Sequence, residues 1–131
     1  MGILNKILGR EEKQAEAPFV EITDENFEKE VIGEGRPVML FVWSNTCPHC
    51  RKMAPNIKQA ANRYADAIKA AHTSAGLAPQ SLARLNVRSV PMTFFFNHGQ
   101  IVESFAGFRP LSFLEEVIEA HFIEEQSEEG E

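Results

Sequence analysis

Cysteine is scarce in this 131-residue chain: there are two, Cys47 and Cys50, within a single four-residue stretch. A secreted scaffold held by disulfides spreads its cysteines along the chain to close long loops, and a bridge between these two closes almost nothing. Long apolar runs are also missing. No stretch approaches the ~20 consecutive apolar residues that a membrane-crossing helix needs. No GxGxxG and no glycine-rich phosphate loop is present, which removes the usual signs of a nucleotide or hydride cofactor. An excess of positive charge is lacking too. The net charge is −6, but residues 124–131 hold five glutamates, residues 1–17 balance to zero, and residues 18–123 carry ten Lys and Arg against eleven Asp and Glu. A nearly neutral domain has no general attraction for phosphates, so nucleic acid is not an expected partner.

What is present is one domain's worth of chain, with 44% hydrophobic residues and ten Phe. Residues 1–17 contain Ile3, Leu4, Ile7 and Leu8, but Asn5 and Lys6 interrupt them and no secretory pattern follows. Gly2 follows Met1, yet Lys6 stands where a myristoylation signal needs Ser or Thr. This segment is expected to be a flexible arm, and residues 124–131 an acidic disordered tail. A cytoplasmic address is expected on the same grounds. The domain is expected over 18–123.

Within it, strand-like and helix-like patterns alternate. Phe19–Ile22 alternates as a strand does, and Thr23 can cap a helix over Asp24–Ile32 that Gly33 and Gly35 stop. Pro37–Trp43 is apolar almost throughout, as in a strand buried on both faces. A helix from Pro48 to Ala65 places Met53, Ile57, Ala60, Ala61 and Tyr64 on one face, with Pro55 as a kink. Ala67–Thr73 reads as an Ala-rich strand and Pro79–Leu85 as a short helix. Met92–Phe96 and Gln100–Phe105 flank the turn Asn97-His98-Gly99 as a hairpin. Leu111, Leu114, Val117, Ile118 and Phe122 mark a closing amphipathic helix. The order β-α-β-α-β-α-β-β-α predicts an α/β fold, a mixed sheet with helices on both faces.

The chemistry lies in Cys47-Pro48-His49-Cys50, which follows a buried strand and opens a helix. Two thiols at i and i+3 in a first helical turn can meet sulfur to sulfur. Cys47, at the helix N-cap, faces unpaired N–H groups and the positive end of the helix dipole. Both favour the thiolate, the nucleophile of disulfide exchange. A pKa lowered from ~8.5 to ~7 raises the thiolate fraction at neutral pH from roughly 3% to roughly 50%. Cys50, one turn inward, suits the resolving role.

The run PVMLFVWSNTCPHCRKMAP resembles the active-site segment of the thioredoxin superfamily, with Trp43 four residues before the first cysteine and Pro55 five after the second. The likeness continues through Ser89-Val90-Pro91, FFFNHG and Phe105-Ala106-Gly107, in the family's order, across about residues 18–123. It implies a thioredoxin fold and a protein-disulfide oxidoreductase. Cys47 would attack a target disulfide and Cys50 would resolve it, with Pro48 and His49 tuning the pair. Pro91 would be cis, Val90 would pair with an extended substrate strand, and Trp43 and Gly107 would complete the substrate surface. No cofactor beyond the cysteine pair is implied. The partners would be protein thiols and disulfides and a disulfide reductase as electron donor, and the chain would act as a monomer.

Two positions depart from the family. Phe41 stands where thioredoxins carry a buried Asp, and its Lys partner corresponds to His72, a candidate for proton relay to Cys50. Pro48-His49 replaces Gly-Pro, and a histidine there can donate to, or place charge near, the Cys47 sulfur, which implies a more oxidising couple. A metal site would need His49 and His72 beside the two cysteines, and none is expected. The alternative function is a peptide-binding or chaperone-like module in which the thiols are incidental.

Overall fold

The uninterrupted apolar run before the cysteines is explained by where its two faces go. In the computed structural model, which describes residues 16–123, strand β2 (Val38–Trp43) is the middle of a five-stranded sheet of order β1-β3-β2-β4-β5. Met39 and Phe41 point into one core, and Val38, Leu40 and Val42 into the other. A strand buried on both faces has no polar side of its pleat to show.

The parallel half of the sheet is β1 (Phe19–Glu21), β3 (Lys69–Ser74) and β2. The antiparallel half is β2, β4 (Met92–Asn97) and β5 (Gln100–Ala106). Helices α1 (Pro48–Arg63) and α3 (Leu111–Phe122) cover the face that holds Met39, Phe41, Phe95 and both cysteines. Helix α2 (Pro79–Arg84) and the 28–32 segment cover the other, where Leu82, Phe27 and Val31 meet Leu40, Phe94 and Phe96. The Ala-rich strand expected over 67–73 is β3; Ala70 and Ala71 are buried against opposite cores, and their small side chains need little space on either side. Between α1 and α3, Tyr64 donates to Glu119 at 2.5 Å and Arg63 pairs with Glu115.

The helix expected over Asp24–Ile32 forms differently. Residues 24–26 make a turn, and Glu28–Ile32 is wound as a π-helix. Thr23 does cap, but reciprocally with Asn26: the Thr23 N–H donates to Asn26 Oδ1 at 2.8 Å, and the Asn26 N–H donates to Thr23 Oγ1 at 3.3 Å. This holds the first residues in a turn. At the other end the Gly33 N–H reaches back five residues to the Glu28 carbonyl at 2.7 Å, which is the π closure. The α1 helix ends at Arg63, two residues short of the expected boundary, and runs through Pro55. The first fifteen residues of the expected arm and the whole of the expected tail, 124–131, lie outside the described residues. Glu16 and Ala17 are described, and the Ala17 N–H donates to Asn62 Oδ1 on α1 at 2.7 Å.

The β4–β5 hairpin turns through His98 and Gly99, both at positive φ (53° and 79°), the backbone that suits the twist of paired strands. A Cβ on Gly99 would lie 2.8 Å from the Ile32 carbonyl oxygen, whereas one on Gly35 would meet nothing within 4 Å. Gly99→Ala is therefore expected to cost about 2 kcal/mol, read as a lower urea midpoint at unchanged slope, with Gly35→Ala close to neutral. Equal midpoints for the two variants would contradict this placement of the turn.

Candidate active site

Strand β2 ends at Trp43, residues 44–46 turn, and Cys47 becomes the N-cap of α1 with extended backbone (φ −109°, ψ 104°). Pro48 follows at the first helical position, where its fixed φ fits and its missing N–H costs nothing. The Cys47 sulfur takes the place of a capping oxygen: it accepts the Cys50 backbone N–H at 3.1 Å. The first turn of α1 holds no acidic residue, so no carboxylate of the helix itself opposes negative charge on that sulfur. Cys47 and Cys50 are joined as a disulfide, with Cα atoms 5.2 Å apart. Cys50 is the more buried, at 3% exposure against 8% for Cys47. Pro48 and His49, between them, are exposed.

A second loop arrives through the sheet. Val42, Met92 and Ala106 lie in one row across β2, β4 and β5, which brings the start of β4 and the end of β5 to the end of the sheet where the cysteines lie. The Val90–Pro91 peptide bond is cis, Pro91 is buried and Val90 half-buried. Gly107, at φ +89°, donates its N–H to the Pro91 carbonyl at 2.8 Å. The loop after Gly107 is fixed to α1, because the Arg109 N–H points at the Met53 sulfur (3.4 Å) and Asn56 Nδ2 donates to the Arg109 carbonyl (2.9 Å). Trp43 and Val90 pack against the core cluster that contains both cysteines. The residues singled out from sequence therefore converge: Cys47, Pro48, His49 and Cys50 on α1, with Trp43, Val90, Pro91 and Gly107 around them.

Phe41 and His72 are direct neighbours across β2 and β3. A cleft of about 360 Å³ has Phe41, Trp43, Cys50, Lys58 and His72 among its walls. The indole N–H of Trp43 donates to His72 Nδ1 at 3.0 Å. Since an indole nitrogen can only donate, Nδ1 must keep its lone pair, and the ring proton of neutral His72 sits on Nε2. That tautomer has no second lone pair with which to take a proton from Cys50, so the relay expected of His72 is closed while the Trp43 bond stands. Burial pushes the His72 pKa below its ordinary value of 6.5; Glu21 opposes the shift and Lys58 adds to it.

Sequence reasoning missed the Trp43–His72 bond, which joins residues two steps out of register on adjacent strands. It also missed Thr93, which lies opposite Phe41 on β4 and is fully buried with no partner for its hydroxyl among the described residues. No sequence signal marks a threonine as unpaired. Among the described residues no three His, Cys, Asp or Glu side chains gather as a metal-binding group, and no helix is long and apolar enough to cross a membrane. His98 and His121 are exposed, His121 within 3.3 Å of a Glu103 carboxylate oxygen.

A cysteine-capped helix leaving the central strand of a mixed sheet, with a bonded partner cysteine one turn in, defines a dithiol–disulfide site. The Thioredoxin family profile matches residues 18–120, and the chain belongs to the thioredoxin family, with that family's fold. It is 31% identical to Thioredoxin 1 of Nostoc sp. over 77% of this chain and 94% of that protein. It is 34% identical to a thioredoxin-like protein of Synechocystis sp. over 68% of this chain and 82% of the relative. It is 31% identical to the chloroplastic M-type thioredoxin of Pisum sativum over 76% of this chain and 58% of that protein. Family and cysteine pair together make thiol–disulfide oxidoreduction its chemistry at the family level.

Replacing Trp43 by Phe removes the one donor to His72 Nδ1 among the described residues and opens that nitrogen to protonation. The His72 pKa is expected to rise in Trp43→Phe, followed by NMR titration of its ring C–H signals. An unchanged or lower value would contradict the assigned tautomer.

Proposed function

We propose that this chain exchanges its Cys47–Cys50 pair with the disulfides of other proteins. In the reduced form, the Cys47 thiolate attacks one sulfur of a target disulfide, forming a mixed disulfide and releasing the first target thiolate. Cys50, as thiolate, then attacks the Cys47 sulfur, re-forming the Cys47–Cys50 bond and releasing the second target thiolate. Two electrons pass to the target, and two protons convert its thiolates to thiols. The cycle closes when a dithiol protein, a disulfide reductase serving as electron donor, reverses both steps on Cys47–Cys50. The reaction needs no cofactor beyond the cysteine pair, and one copy of the chain contains every residue invoked.

The observation that carries this reading is the hydrogen bond from the Cys50 N–H to the Cys47 sulfur at the start of α1. A sulfur that caps a helix is already where its anion is stabilised, by the donated N–H and by the dipole. Pro48 fixes the entry into the helix. His49, exposed beside the pair, offers a donor to the departing or attacking sulfur, which stabilises the reduced form and makes the couple more oxidising; each ~1.4 kcal/mol of that preference is about 30 mV. In this reading the backbone of Val90 pairs with an extended target segment, and Pro91, Gly107 and Trp43 complete the surface that receives it. An intact bonded pair favours catalysis over passive peptide binding. A reducing compartment such as the cytoplasm suits a chain whose only two cysteines form a reactive pair.

The test is catalysed reduction of insulin by dithiothreitol, followed as precipitation of the free B chain. The wild-type chain is expected to accelerate it at least tenfold over dithiothreitol alone, and Cys47→Ser to abolish the acceleration. Cys50→Ser is expected to accumulate a mixed disulfide with the target. A Cys47→Ser variant as active as wild type would contradict the proposal.

A further inference from the structure

Charge is distributed unevenly over this molecule. Four segments at the end of the sheet that carries the cysteines, 43–54, 74–79, 87–92 and 104–112, contain Arg51, Lys52, Arg88 and Arg109 and not one Asp or Glu. A fifth, 22–27, follows the edge strand β1, which runs parallel to β3, and carries Asp24 and Glu25. Outside the first four, the described residues have six Lys and Arg against twelve Asp and Glu. A neutral domain is thus divided into a cationic site face and an acidic remainder.

Carboxylate pairing is partial away from the site, where Lys29 and Arg36 meet none among the described residues, and absent around it, where Lys58 also borders the Cys50 cleft without a carboxylate partner among them. Away from the site, Lys69 is held by Glu30 and Glu34, Arg84 by Glu28, and Arg63 by Glu115. Around the site, none of Arg51, Lys52, Arg88 and Arg109 meets a carboxylate among the described residues. Arg51 donates to the Asn45 carbonyl at 3.1 Å and borders the cleft beside Cys50. Lys52, in the next position of α1, is exposed. Arg88 stands two residues before Val90 and borders a groove lined also by Trp43, Leu82 and Val90. Arg109, two residues after Gly107, is stacked over Phe105 and Phe113 and donates to the Ala106 and Phe108 carbonyls. The carboxylates at this end of the sheet, Glu21, Asp24 and Glu25, keep their charge but belong to edge strand β1 and the turn after it, with β3 between them and β2. Asp24 is engaged by the N–H groups of Gln80 and Ser81 at the start of α2, and Glu21, on the edge strand, acts on His72.

We infer that this face selects protein disulfides flanked by Asp and Glu. The inference rests on the exchange reaction proposed above and adds the class of target. Cations around a reactive sulfur, here without a carboxylate partner among the described residues, raise the local concentration of anionic segments and speed their encounter, by factors of ten to a thousand in favourable cases. Exposed Phe108, beside Gly107, adds an apolar contact that the charge pattern does not determine. Like-charged segments, rich in Lys and Arg, are repelled from the same face.

The test uses three synthetic peptides, each closed by one intramolecular disulfide and flanked by four Asp, four Ser or four Lys. Reduction by the dithiol form of the full chain is followed by acid quench and chromatography. At low ionic strength the Asp peptide is expected to react about tenfold faster than the Ser peptide, and the Lys peptide slowest. The differences are expected to shrink as salt shortens the range of the field. Arg51→Glu and Arg88→Glu, both at exposed positions, are each expected to lower the Asp-to-Ser rate ratio severalfold. Lys29→Glu, exposed on the 28–32 segment, makes the same change in net charge and is expected to leave the ratio within twofold of wild type. Equal rates for the three peptides, or a Lys29→Glu effect as large as that of Arg88→Glu, would overturn the inference while leaving the exchange reaction intact. Failure to reduce any peptide would overturn the exchange reaction and this inference together.

Discussion

The start of α1 governs everything else at this site. A helix begins with N–H groups that have no partner within it, and side-chain oxygens of Ser, Thr, Asp or Asn usually accept them. Here a cysteine sulfur fills that position, and the N–H it accepts belongs to the other cysteine of the pair. A disulfide sulfur is a weak acceptor; a thiolate is a strong one. The same contact that caps the helix therefore gains strength when the disulfide is reduced, and the folded backbone supplies the stabilisation without rearranging.

The sheet keeps that helix end accessible and gives it a counterpart. Because β2 is central and buried on both faces, its end is fixed, and with it Trp43 and the turn into Cys47. Because β4 runs antiparallel to β2 and its loop is joined to Gly107 through the Pro91 carbonyl, the Val90–Pro91 segment is presented at that same end. The packed core positions the sulfurs, and the exposed loops around them are left to meet a partner. The cationic face is a second layer on this frame. It depends on where charges are absent as much as on where they are present.

Much of this was legible in the sequence, for identifiable reasons. The buried central strand shows as a run without polar alternation, the hairpin as Asn97-His98-Gly99, and the reactive pair as a CxxC that opens a helix. The Ala-rich strand β3 was legible only from its place in the alternating order, since alanine favours helices in isolation and tertiary pairing on both sides decides the outcome. The 28–32 segment escaped because Phe27 and Val31, four residues apart, are buried as an amphipathic α-helix would bury them, and winding with five-residue closure leaves no mark in that pattern. His72 is the instructive case: position alone made it a candidate for proton relay to Cys50, whereas the hydrogen bond from Trp43 occupies the lone pair with which neutral His72 would take a proton. That Phe41 puts no carboxylate beside Cys50 was readable from the sequence, whereas its neighbour Thr93, whose hydroxyl has no partner among the described residues, shows only once the strand register is known.

The central claim is that the end of α1 stabilises a thiolate on Cys47. The direct measurement is the ultraviolet thiolate absorbance of the reduced chain across pH, with His49→Pro beside it. The account expects one cysteine, absent from the titration of Cys47→Ser, to ionise at least a unit below the ordinary value of ~8.5, with the midpoint moving upward in His49→Pro. Two thiols that both ionise at the ordinary value, in a folded and reduced chain, would contradict it.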